Sequence, residues 1–85
     1  MSSARDVVET IAKELVDYPD SVQVIEQESR GDVRIVLTAQ PGDLGKLIGR
    51  RGRTASAVRV IADLAAVRDG QRVSVDFEDG MNNND

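Results

Sequence analysis

The sequence contains no cysteine and no histidine. Without cysteine there is no disulfide, no thiolate metal site and no thiol nucleophile, and the composition suits a reducing compartment. Without histidine the usual proton carrier at neutral pH is missing. Ser56 and Thr54 then have no base to activate them, so an enzyme is not expected. Tryptophan is absent, and one Phe and one Tyr are the whole aromatic content, so any core must be aliphatic. No apolar run approaches the length of a bilayer span, and the N-terminus lacks the basic-then-apolar pattern of a leader. A cytoplasmic chain without a membrane association is expected, with no cofactor.

Eighty-five residues allow one small domain with a marginal core, for which pairing with a partner is a common source of stability. The net charge is −4, but its distribution is uneven. Between Leu44 and Ala62 lie five cations (Lys46, Arg50, Arg51, Arg53, Arg59) and no acid, leaving six cations against fifteen acids elsewhere. Steering depends on the local field, so this segment has to be read separately from the acidic remainder.

Apolar residues at helical spacing (Val7, Val8, Ile11, Ala12, Leu15, Val16) predict an amphipathic helix over 4–17. Ser2 or Ser3 is placed to cap it, and Pro19 to end it. Two strands follow, over 22–27 and 32–39, with Gly31 in the turn between them. Asp43 is placed to cap a short helix that runs to Leu47 or Ile48. The longest helix is expected over 54–67, with Ala57, Val58, Ile61, Leu64 and Ala65 as its core stripe. Val60, Ile61 and Val67 read as ordinary core, with a self-pairing surface as the other reading. Gly70 is the candidate C-cap. A last strand over 72–78 sends Val73, Val75 and Phe77 to one side. The carboxylates around Phe77 lack the spacing of a calcium loop and read as a solvated strand end. The order α-β-β-α-α-β predicts an α+β fold, a three-stranded sheet with helices packed on one face. The domain is expected over 1–78, with a polar, disordered tail over 79–85.

Within the cationic segment, Gly49 and Gly52 flank two arginines between a short helix and a long one. Two glycines in such a connection can be simple turn residues. Here, however, both intervening residues are Arg, Ile48 precedes as an apolar anchor, and Arg53 and Thr54 follow at a helix N-terminus. Glycine lets a ligand approach the backbone closely, and the first N–H groups of a helix are donors for an anion. Together they suit a phosphate clamp. The Walker and dinucleotide patterns are both absent.

The run Ile48-Gly49-Arg50-Arg51-Gly52-Arg53 resembles the I-G-x-x-G signature of KH domains, and the element order resembles the type II KH arrangement. The resemblance covers about residues 4–78, and the length and the string GKLIGRRGRTASAVR make it similar to the KhpA family of small bacterial single-KH proteins. It implies a single-stranded RNA-binding protein, an RNA chaperone or post-transcriptional regulator, in which the Gly-x-x-Gly loop clamps the sugar–phosphate backbone. It also implies that Gly49, Arg50, Arg51 and Gly52 hold phosphates. Ile48, Val58 and the strand from Val33 to Leu37 would wall the groove, and Lys46, Arg53, Thr54 and Arg59 would add contacts. It further implies self-pairing, or pairing with a larger KH-containing protein. An adaptor that keeps the fold and acts mainly through such pairing is the alternative function. The sequence departs from the family at Ala55, where KH domains usually carry a large apolar residue. That change opens the groove or loosens the loop, and it bears on base selectivity more than on backbone binding.

Overall fold

A computed structural model of the chain describes residues 2–79. The tail expected over 79–85 lies, from residue 80 on, outside the described residues. The elements are α1 (Ser3–Leu15), β1 (Gln23–Ser29), β2 (Asp32–Ala39), α2 (Pro41–Ile48), α3 (Arg53–Arg68) and β3 (Arg72–Asp79). The α+β order is the one the sequence predicts. The sheet runs β1-β2-β3, with β1 antiparallel and β3 parallel to the central β2.

Local chemistry explains each boundary. The Ser2 hydroxyl accepts from the Arg5 N–H at 3.0 Å and caps α1. Pro19 starts a single 3-10 turn after the helix has already opened at Val16. The hairpin turn is tight: only Arg30 and Gly31 lie between the strands, both at positive φ (52° and 85°). That is the backbone twist a two-residue hairpin requires. α2 departs from expectation at its start. Pro41 occupies its first turn after an extended Gln40, and Asp43 is not the cap. Proline suits that position because its missing N–H would have had no partner there. Asp43 instead turns inward and is buried, accepting from the Asp17 and Tyr18 N–H groups at 3.1 and 3.0 Å. It thereby ties α2 to the end of α1.

The core lies between the helices and one sheet face. β2 sends Val33, Ile35, Leu37 and Ala39 inward, and Val75 joins them from β3. Ile35, Leu37, Leu47, Val8 and Val33 are the largest fully buried side chains, each contributing about 1.5–3 kcal/mol by leaving water. Against them α1 sets Ala4, Val8 and Ala12, with Val16 just past its end, and α3 sets Val58, Ala62 and Ala66. Both sets repeat every four residues, so ridge meets groove along the α1–α3 seam. Alanines there let the two helices approach closely.

This packing corrects the expected core stripe of α3. Ile61 and Leu64 are not core: they are 40% and 67% exposed. Val60 and Val67 are exposed as well, at 57% and 73%, and Ala57 also faces out. Sequence hydrophobicity favoured the large residues, but the close α1–α3 approach has room only for Val58 and the alanines.

Two acids hold the start of α1. Glu26 accepts from the Ser2 N–H and hydroxyl at 3.0 and 2.9 Å. Asp69 accepts from the Ser3 N–H and hydroxyl at 2.9 and 3.1 Å. The Ser2 N–H holds the Glu26 carboxyl below its usual 4.5, and the Ser3 N–H holds Asp69 below its usual 3.8. A group with a lowered folded pKa binds more protons when unfolded, so it stabilises the fold above its ordinary value and loses that effect as pH falls. Chemical-denaturation midpoints are therefore expected to be level from about pH 7 to 5.5 and to decline below about pH 4.5. A midpoint that stays level down to about pH 3 would show that these contacts do not hold α1.

Candidate nucleic-acid interface

The loop grows out of the end of α2. The Gly49 N–H donates to the Gly45 carbonyl at 2.8 Å, closing the helix, and Gly49 then takes φ 76° and ψ 171°. Residues Arg50–Gly52 form one 3-10 turn, in which the Gly52 N–H donates to the Gly49 carbonyl at 3.1 Å. Arg51 and Gly52 also have positive φ, at 58° and 71°. α3 begins at once with Arg53.

The two glycines differ. A Cβ on Gly49 would lie 2.7 Å from the Thr54 Cβ, so glycine is what lets the end of α2 touch the start of α3. A Cβ on Gly52 would meet nothing within 4 Å. Gly52 thus presents bare backbone to open space, beside the positive end of the α3 dipole. Arg51 holds a left-handed backbone, in which the Cβ of an L-residue crowds the carbonyl that follows, at a cost of order 1 kcal/mol.

A cleft of about 540 Å³ opens beside the loop. One wall is Arg51 and Gly52. Ile48, Ala55 and Ser56 form the helical side, and Asp76, Phe77 and Glu78 of β3 form the far wall. Ala55 is buried at the point where KH domains usually carry a larger side chain. Arg59 closes one end: its Nε donates to the Val75 carbonyl at 3.1 Å, and its guanidinium lies 5.1 Å from the centre of the Phe77 ring. A second, smaller cleft of about 310 Å³ continues past Arg59 along the free edge of β3.

The structure separates the expected site residues. Ile48, Arg51, Gly52 and Arg59 line the cleft. Gly49 and Thr54 are half-buried behind it and brace the loop. Arg50 and Arg53 stand exposed beside it, and among the described residues neither has an ion pair. Lys46 does not join the group: its ammonium sits 3.2 Å from Asp17 and 3.8 Å from Asp43. The expected groove wall from Val33 to Leu37 is corrected. β2 is flanked on both sides, and its inward side chains are sealed in the core, as is Val58. The wall comes from β3, the free edge. Sequence reading missed Ser56, Asp76, Phe77 and Glu78. The one available signal was Phe77, the only Phe in the chain, at the exposed end of an inward-facing alternation.

A three-stranded mixed sheet under three helices, with a Gly-x-x-Gly turn joining α2 to α3, is a KH domain of the type II order. The chain belongs to the KhpA/KhpB KH-domain family, whose model matches residues 5–77. Among its relatives, the RNA-binding protein KhpA of Clostridium acetobutylicum is 44% identical over 73 residues, 86% of this chain and 97% of the relative. The RNA-binding protein KhpA of Aquifex aeolicus is 45% identical over 77 residues, 91% of this chain and 98% of the relative. That of Leifsonia xyli is 46% identical over 70 residues, 81% and 88% of the two chains. The family is one of binding domains rather than of catalysts. Among the described residues no helix is long and apolar enough to cross a membrane.

Proposed function

We propose that the chain binds single-stranded RNA, with the Gly49-Arg50-Arg51-Gly52 loop clamping the sugar–phosphate backbone and the adjoining cleft receiving bases. The observation that carries this reading is the pairing of exposed, uncommitted arginines with the open backbone of Gly52 at the mouth of a cleft. The names of the relatives support it. Arg50 and Arg51 face phosphates, Arg53 adds a cation at the start of α3, and Ile48 supplies an apolar base contact. In this reading the chain works in the cytoplasm as a small RNA chaperone or post-transcriptional regulator. The acidic remainder of the molecule repels nucleic acid elsewhere and so favours docking at the loop.

Titration of the chain with a short single-stranded RNA at several salt concentrations tests the clamp. Contact with about three or four phosphates gives a slope of log K against log[salt] of roughly −2 to −3. A flat dependence would rule out phosphate contact as the basis of binding.

A second reading, pairing with another copy of the chain, is favoured by the exposed strip Val60, Ile61, Leu64 and Val67 along α3. An aliphatic strip of this kind is an ordinary dimer surface for a small domain. Sedimentation of the wild type is expected to show a dimer, and Ile61→Lys or Val67→Lys a monomer. A wild type that stays monomeric at high concentration removes this reading. RNA binding and pairing are compatible, because the strip and the cleft share no residue.

A further inference from the structure

The outer strand β3 has one edge that no other strand covers. The Arg72 N–H donates to the Gly31 carbonyl, on the β2 side, at 2.9 Å. The Val75 carbonyl points the other way and accepts from the Arg59 Nε at 3.1 Å. Backbone groups alternate in direction along a strand, so Val73, Val75 and Phe77 turn their N–H and C=O groups to the free edge. Arg59 lies across the middle of that edge, and beyond it the cleft of about 310 Å³ keeps the edge open below Asp63 of α3. Asp63 and Glu78 are exposed, and among the described residues neither carboxylate has a hydrogen bond or an ion pair. Arg72 holds Asp32 through Nε at 3.0 Å, which leaves its two terminal nitrogens for another acceptor.

The strand is complementary to itself when turned around. Laid antiparallel about a two-fold axis at Val75, it sets Val75 against Val75, Val73 against Phe77, Ser74 against Asp76 and Arg72 against Glu78. In this register Val73, Val75 and Phe77, which face the edge, all fall in hydrogen-bonded pairs, as an antiparallel ladder requires. On the helix side of the sheet the register joins a valine to a phenylalanine twice. On the open side it joins Arg72 to Glu78 twice, and both kinds of cross-strand pair are favourable. Arg59 sits beside Val75 and Phe77, and Asp63 lies nearer Val73, so the same axis brings Arg59 of one copy toward Asp63 of the other. We propose that the free edge of β3 pairs with the β3 edge of a second copy of this chain to make one six-stranded sheet. Arg59 is the latch: it leaves the Val75 carbonyl for Asp63 of the second copy and frees that carbonyl for the new ladder. The contact is isologous, as a two-fold axis demands, and it shares no residue with the exposed α3 strip. It does share Phe77 and Arg59 with the larger cleft. The edge-paired form is therefore closed to RNA there, a consequence that rests on the RNA-binding reading above.

The chain has no cysteine, so engineered thiols read the register directly. Ser74→Cys in one copy and Asp76→Cys in the other face each other in a non-hydrogen-bonded pair, with Cα atoms about 4.5 Å apart, within disulfide range. The same position in two copies is a diagonal pair about 7–8 Å apart, beyond that range. Asp76→Cys gives up an exposed ion pair with Arg34, which weighs little in stability. A mixture of the two variants of the full chain, oxidised at high protein concentration, is expected to yield at least about tenfold more linked dimer than either variant alone. Asp63→Arg in both chains sets like charges against each other at Arg59 and is expected to cut that yield about tenfold or more. Asp63 is exposed and unpaired among the described residues, so this change should leave the melting temperature where it is. The short RNA of the salt titration, added at about ten times its Kd, occupies about 90% of the chains and lowers the yield to about a tenth or less. A mixture that links no better than the single variants overturns the edge pairing. Linking that survives Asp63→Arg overturns the contact between Arg59 and Asp63. RNA that binds and leaves the yield unchanged overturns the exclusion but not the interface. RNA that does not bind removes the RNA-binding reading and the exclusion with it, and the cysteine pair still decides the interface.

Discussion

Charge reversal at both loop arginines, Arg50→Asp with Arg51→Asp, is expected to weaken RNA binding by at least about 100-fold and to leave thermal unfolding where it is in the wild type. The loss follows from removing two charge-assisted contacts, each contributing about 1.5–3 kcal/mol, and replacing them with charges that repel phosphate. The unchanged stability follows from the structure. Both side chains are exposed and neither has an ion pair among the described residues, so no folded-state interaction is lost. The backbone tolerates the change as well. Arg51 sits at φ 58°, a conformation that aspartate visits more readily than most residues. Isotherms and melting curves of one preparation decide the matter. Binding that survives the reversal would mean that the phosphates lie somewhere other than the loop. A parallel collapse in melting temperature would mean that the arginines support the fold rather than the ligand.

The loop could be read from sequence because its parts are contiguous: an apolar anchor, a glycine, two cations, a glycine and a helix start. What the sequence could not supply was the fate of each cation. The five positive charges between Leu44 and Ala62 look alike in a count, yet Lys46 is paired with Asp17 and Arg59 is latched to the β3 edge. Arg50, Arg51 and Arg53 remain uncommitted, and they set the local field. The far wall of the cleft was illegible for a different reason. β2 and β3 show the same inward alternation, and only the sheet order reveals that β3 is the edge. Alternation tells which face a residue takes but not which strand has a neighbour on both sides. The element order was legible throughout, since proline, glycine and hydrophobic period all punctuate it consistently. The inward face of α3 was not. Its large aliphatic residues and its alanines compete for the core, and the α1–α3 distance, a tertiary quantity, decided for the alanines.

The two loop glycines are expected to fail in different ways when each is replaced by alanine. Gly49→Ala puts a methyl group 2.7 Å from the Thr54 Cβ and holds an L-residue at φ 76°, ψ 171°, a region used almost only by glycine. The backbone strain alone is of order 1–3 kcal/mol, and relief of the overlap requires α2 and α3 to part at their shared corner, so a total near 3 kcal/mol is expected. For a domain of this size that lowers the melting temperature by more than about 10 °C. Gly52→Ala has open space around it and an ordinary left-handed conformation, φ 71° and ψ 15°, with a cost of about 1–2 kcal/mol. Its methyl group, however, occupies the face on which the RNA backbone would rest. Its RNA affinity should therefore drop further than its modest loss of stability explains when binding is measured well below the melting temperature. Melting curves for both variants, paired with RNA titrations in the cold, separate the roles. If Gly49→Ala melts with the wild type, the contact between Gly49 and Thr54 does not hold the corner. If Gly52→Ala binds RNA as tightly as the wild type, no backbone approaches at Gly52, and the phosphate must be held by the arginine side chains alone.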